Sequence, residues 1–218
     1  MSAQTKVKIC GMRSADAALV AASAGADFLG FNFVDGVRRQ LKPAEGISVI
    51  ADYRARAKKL GLDTKVVGLF RDQDVSWVNE LSDAATLDYV QLHGDEDEAY
   101  MDRLRCKVIR QVRVRPETTP AALAVEVQSH LDAGRIALLD RYDARVPGGS
   151  GVKFDWSVAE GIASREKVML AGGLNPENVR DAIRMLNPWA VDVASGVETD
   201  GVKDHDKIRL FIKAAREA

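Results

Sequence analysis

Short apolar runs recur along the chain, and longer stretches of helical pattern separate them. They span Val7 to Cys10, Asp27 to Phe33, Lys65 to Phe70, Tyr89 to His93, Lys107 to Val114, Arg135 to Asp140, Val168 to Ala171 and Ala190 to Ala194. The runs are nearly continuous in apolar character rather than alternating, the pattern of strands covered on both faces in a parallel sheet. Eight strands with helices between them are therefore predicted. Ser14 with Asp16, Asp74, Thr119-Pro120, Asn175-Pro176-Glu177 and Asp204 supply helix starts, through a capping oxygen, a proline at the first helical position or an acid in the first turn. Gly25 and Gly134 supply left-handed stops.

An eight-fold βα repeat either closes into a barrel or opens into a doubly wound sheet. An open dinucleotide fold calls for G-x-G-x-x-G after its first strand, where this chain has Cys10-Gly11-Met12-Arg13-Ser14. The 218 residues suit one closed barrel, and no linker or low-complexity tract divides them. The expectation is an α/β fold, a (β/α)8 TIM barrel forming a single domain over residues 1–218. The longest Gly/Pro-rich stretch, Arg141 to Lys153, follows strand 6 and is either a lid or a plain surface loop.

Charge and composition narrow the ligand. With 31 Lys+Arg against 32 Asp+Glu the formal charge is −1, so no positive field holds a nucleic acid or an anionic membrane. The two cysteines cannot build a disulfide framework, and three scattered histidines do not make a metal site. The first residues lack the apolar core of a signal peptide, and no run approaches the roughly 18 apolar residues of a membrane span. A cytoplasmic enzyme for a small molecule is expected, as monomer or homodimer.

In a parallel barrel the carboxyl ends of all strands meet on one face, so the polar signatures at those ends are the candidate site. Cys10 ends strand 1. A thiol of pKa ~8.5 serves as a base where a positive charge or helix amino terminus stabilises the thiolate, and is otherwise structural. Cys106 is assigned to the structural class. Asp140 closes Ile136-Ala137-Leu138-Leu139 and is either a salt-bridging group or an acid whose proton is held by burial. A thiol and a carboxyl facing each other would suit an isomerase, which adds a proton at one atom and removes it at another. Gly172-Gly173 and Ser195-Gly196 occupy the places where barrels commonly hold phosphate on backbone amides. Arg38 and Arg39 follow strand 2, where a guanidinium fork can clasp a carboxylate. His93 either lines the pocket or is a satisfied buried histidine. Asp192, in strand 8, either fills a barrel layer or orients a sugar hydroxyl. His130 and His205 fall in helical regions and read as surface groups.

These residues lie in ordered segments that closely resemble the phosphoribosylanthranilate isomerase family of tryptophan biosynthesis. The segments are KICGM (8–12), ADFLGFNF (26–33), VGLF (67–70), VQLHGDE (90–96), LLD (138–140), GGSGVKFDW (148–156), AGGLNPENV (171–179), VDVASGVE (191–198) and GVKDHDKI (201–208). The resemblance implies a metal-free, cofactor-free Amadori rearrangement of N-(5-phosphoribosyl)anthranilate to 1-(2-carboxyphenylamino)-1-deoxyribulose 5-phosphate. By position it makes Asp140 the general acid that opens the furanose ring and Cys10 the general base that takes the C2 proton. It gives Arg39 the anthranilate carboxylate, and the glycine-bearing ends after strands 7 and 8 the phosphate. The chain departs from the family at Val34-Asp35-Gly36-Val37-Arg38-Arg39, where a Pro-x-Ser-x-Arg run is usual: the arginine is kept, and its supporting proline and serine are absent. Two alternatives stand beside this reading. An isomerase of a related phosphoribosylated aminoaldose would typically pair two aspartates, which Cys10 argues against. A noncatalytic phosphosugar-binding barrel would not need both Cys10 and Asp140.

Overall fold

The computed structural model describes residues 4–141 and 156–218. Eight parallel strands follow one another in sequence order around a closed barrel: β1 (Lys6–Cys10), β2 (Phe28–Asn32), β3 (Lys65–Phe70), β4 (Tyr89–Leu92), β5 (Lys107–Val114), β6 (Ile136–Arg141), β7 (Val168–Leu170) and β8 (Ala190–Val193). Each lies within a residue of its expected limits. Most strand positions are buried on both faces, which explains why the sequence pattern is continuous rather than alternating. The polar exceptions are the informative ones: Lys8, Gln91, Gln111, Asp140 and Asp192 are buried within strands.

The helices are α1 (Ala15–Ser23), α2 (Pro43–Lys59), α3 (Val75–Ala84), α4 (Glu98–Met101), α5 (Pro120–Asp132), α6 (Val179–Leu186) and α7 (His205–Arg216). Side chains of Ser14, Asp74, Thr119 and Asp204 cap α1, α3, α5 and α7 as expected. α6 starts later than Asn175-Pro176-Glu177 suggests. Asn175 Oδ1 does accept from the amides of Glu177 and Asn178, but the turn it caps becomes helical only at Val179. Between β6 and β7 the described residues contain a 3₁₀ turn, Trp156–Ala159, in place of a helix. A short hairpin, β9 (Glu198–Thr199) with β10 (Val202–Lys203), intervenes between β8 and α7 and has no counterpart in the sequence expectation. The stretch proposed as a lid lies, apart from Arg141, outside the described residues.

Contacts cluster into two units, residues 9–109 and residues 1–8 with 110–218. In the first, β2, β3 and β4 pair in register, Phe28 with Lys65 and Val67 with Tyr89, and Phe33 stacks on Phe70, which meets Trp77 edge-on. In the second, β6, β7 and β8 pair through Ala137 with Val168 and Met169 with Ala190. The chain start is tied to this unit: the Lys6 amide donates to the Trp189 carbonyl, and Arg216 donates to the Thr5 carbonyl.

Candidate active site

In the unit formed by residues 1–8 and 110–218, the end of β6 carries a carboxyl group far from its ordinary pKa. Asp140 is buried; its Oδ2 accepts from Gln111 Nε2 at 3.0 Å and its Oδ1 from the Arg141 amide at 2.9 Å. Burial raises its pKa to about 6, helped by the Asp192 carboxylate, while the Gln111 and Arg141 bonds and the Lys8 charge pull the other way. Desolvation dominates because a carboxylate inside the barrel loses its hydration and two hydrogen bonds replace only part of it. The result is a carboxyl group that holds a proton close to neutrality, the property a general acid needs.

Asp192 is neither solvated nor alone. Its Oδ1 lies 3.0 Å from Nζ of Lys8, a lysine with no solvent-exposed surface. Gln111, between Arg110 and Arg113, carries no distinguishing sequence signal. A lone charge between Val7 and Ile9 is the one signal that could have marked Lys8.

The loops after β7 and β8 meet in the same unit. Gly172 and Gly173 both have left-handed backbones, φ +87° and +71°, which leaves the loop after β7 to glycine. A Cβ on Gly196 would collide with the Leu174 carbonyl, so the loop after β8 packs directly on the loop after β7 only because that side chain is missing. All four residues, Gly172, Gly173, Ser195 and Gly196, are partly accessible. The assembly is held from behind: Asn178 Nδ2 donates to the Gly173 carbonyl, and Lys203, whose side chain is 5% exposed, donates to the Ala194 carbonyl and to Glu198 at 2.8 Å. The hairpin that the sequence expectation omitted is what places Lys203 there.

Residues 9–109 hold the remaining candidates. Cys10 is buried at the end of β1, and the amides of Gly11 and Met12 both donate to the Gly30 carbonyl, fixing the turn that follows it. A Cβ on Gly30 would lie 2.9 Å from the Cys10 sulfur, so the glycine of β2 makes room for the thiol. The half-buried Arg39 lies across Gly11, where a methyl group would strike its Cδ; Arg38 is exposed. The altered loop before Arg39 has its own fastening. Gln40 Oε1 accepts from the Gly36 amide and its Nε2 donates to Asp35, while Asn32 Oδ1 accepts from Val34 and the Asn32 carbonyl accepts from Leu41. These contacts stand where the family's proline and serine are missing. His93 is half-buried and takes a hydrogen bond from Gln91, itself fully buried.

Two side readings have clear outcomes. Cys106 is half-buried, directs its sulfur toward the Leu87 carbonyl, and has its thiol pushed up by burial, which suits a structural group. His130 is not a surface group: it is buried on the inner side of α5, whereas His205 is exposed. The sparse charge on α5 hid which of its faces packs inward. Among the described residues no cluster of three His, Cys, Asp or Glu side chains could hold a metal ion, and no helix is long and apolar enough to cross a membrane.

Comparison with known proteins gives consistent relatives. The family described as N-(5'-phosphoribosyl)anthranilate (PRA) isomerase matches residues 7–214. The N-(5'-phosphoribosyl)anthranilate isomerase of Roseiflexus castenholzii is 44% identical over 216 residues, covering 97% of this chain and 98% of that one. Phosphoribosyl anthranilate isomerase from Thermotoga maritima superposes with a TM-score of 0.83 at 33% identity, over 99% of this chain and 100% of that chain. Another solved isomerase, in complex with reduced 1-(o-carboxyphenylamino)-1-deoxyribulose 5-phosphate, gives a TM-score of 0.80 at 32% identity, over 99% and 100% of the two chains.

Proposed function

Because this chain belongs to the N-(5'-phosphoribosyl)anthranilate isomerase family, we infer from its own side chains how it carries out that reaction. It is an isomerase of tryptophan biosynthesis. The rearrangement needs an acid at the furanose ring oxygen, a base at C2, and a grip on the two anionic ends of the substrate.

Asp140 is the acid in this reading. It protonates the ring oxygen, the C1–O bond breaks, and the anilino nitrogen supplies the electron pair that forms the Schiff base. Cys10, as thiolate, then removes the C2 proton; those electrons form the enolamine, which ketonises as C1 takes up a proton and the C2 hydroxyl gives one up, so that the thiolate and the acid are restored. Every proton moves between side chains and substrate, so the mechanism runs without metal or cofactor. The observation that carries the reading is the buried, Gln111-bonded Asp140 carboxyl, protonated up to about pH 6.

Arg39 clasps the anthranilate carboxylate as a bidentate guanidinium, its stem seated on Gly11. The amides of the partly accessible residues Gly172, Gly173, Ser195 and Gly196 receive the phosphate, since the three glycines lack Cβ atoms and allow close approach of an anion. Asp192 is placed on a ribose hydroxyl and His93 at the pocket wall. Residues 1–218 act as one catalytic domain, and the enzyme is placed in the cytoplasm. A solved relative from Thermotoga maritima is described as a dimer converted to monomers, and this chain is proposed as monomer or homodimer.

Purified protein given freshly made phosphoribosylanthranilate tests the reading, because consumption of the anthranilate-type fluorescence follows turnover. Rapid loss of that signal, with no turnover of the histidine-pathway aminoaldose, is expected. Turnover of the aminoaldose alone, or binding of phosphosugars without turnover, would overturn it.

A further inference from the structure

Three ionisable side chains are buried together in the unit that holds Asp140, and the reaction as proposed uses only two of them. Lys8 on β1 has no exposed surface, Asp192 on β8 lies 3.0 Å from its ammonium, and Asp140 ends β6. With Lys8 and Asp192 both charged, the trio is electrically neutral only when Asp140 carries its proton. A lysine buried beside an acid that must stay protonated would ordinarily strip that proton, since a nearby cation favours the carboxylate.

We propose that Lys8 is a positioning residue held by Asp192: the ion pair engages its charge away from Asp140, so that Asp140 keeps the proton it delivers to the substrate. The inference rests on the reading of Asp140 as the acid. Lys8 touches no reacting atom in this scheme. The Asp192 carboxylate offsets the Lys8 charge at Asp140 and itself disfavours a second negative charge there.

The other groups around Asp140 do not supply this effect. Gln111, on β5, donates to Oδ2 and the Arg141 amide donates to Oδ1, so both favour the anion. Arg141 is the next residue of β6, and Arg113, two positions beyond Gln111 and half-buried, shares that face of β5. β7 contributes only Val168, Met169 and Leu170. Among the described residues, Asp192 is thus the charge that acts, together with burial itself, to keep Asp140 protonated.

The test is a carbon-detected NMR titration of the Asp140 carboxyl in the ligand-free enzyme, its resonance assigned by loss in Asp140→Asn. In Asp192→Asn the freed Lys8 charge turns to Asp140, and the midpoint falls by about one pH unit, a tenfold loss of protonated acid at pH 7.5. In Asp192→Glu, which keeps the charge, the midpoint stays near the wild-type value. The kcat/KM of Asp192→Asn falls at least about tenfold at pH 7.5, a deficit that shrinks as pH is lowered, which a merely structural loss would not do. Should Asp192→Asn fail to fold, Lys8→Met gives the opposite sign, with the Asp140 midpoint rising. A midpoint shifted by less than about half a unit, or in the wrong direction, in whichever variant folds overturns the proposal. The titration needs no substrate, so failure of the acid assignment would show separately, as full turnover by Asp140→Asn.

Discussion

A carboxyl group inside a barrel resists ionisation, and Asp140 links that resistance to both stability and chemistry. Its pKa rises from an ordinary 3.8 to about 6 on folding, so between those values the native state binds more protons than the unfolded chain. Stability therefore falls as pH rises through that window, by roughly 3 kcal/mol for a shift of about two units, and the full cost is present above pH 6. Asp140→Asn is expected to be more stable than wild type at pH 8 by up to that amount, with the advantage vanishing below about pH 4, as denaturant unfolding at the two pH values would show. The same substitution lowers turnover by ~10²-fold or more, because it removes a positioned acid. The placement of Cys10 and Asp140 at the ends of β1 and β6 was legible in the sequence, because each closes an apolar run with a polar group. Lys8 and Gln111 were not, because a strand buried on both faces gives no period that separates the residues lining the barrel from those under the helices.

At the scale of elements, fastenings behind the loops matter as much as the residues in front. Lys203, on the hairpin after β8, ties the Ala194 carbonyl and Glu198 together at the root of the Ser195–Val197 turn. Lys203→Met should raise KM for the phosphorylated substrate about tenfold or more while kcat falls far less, since it loosens a binding loop without touching the proton-transfer groups. After β2, Gln40 spans the loop from Asp35 to Gly36. Gln40→Ala should raise KM by a few-fold through a less fixed Arg39, and steady-state kinetics would show kcat nearly unchanged. The sequence marked both loops through Gly196 and Arg39, yet neither fastening was readable, because each depends on a long polar side chain whose partner only the folded backbone brings near. The start of α6 shows a smaller limit of the same kind. Asn175 caps as its type suggests, but local chemistry does not fix how many residues a capped turn takes to become a helix.

For the molecule as a whole, the strand order was the most legible property. Eight buried runs alternating with capped helices admit few topologies, and the missing dinucleotide fingerprint removed the main competitor. What strand counting does not reveal is how charge is arranged inside the barrel, since Lys8 and Asp192 meet across 184 positions of sequence. In the proposed chemistry one buried acid and one thiol perform an isomerisation on a phosphoribosylated anthranilate. The most direct test is kcat/KM for phosphoribosylanthranilate in wild type, Cys10→Ser and Asp140→Asn, each checked for a native fold. Rapid turnover by wild type and a fall of ~10²-fold or more in each variant are expected; near-wild-type rates in both would rule out these roles for Cys10 and Asp140.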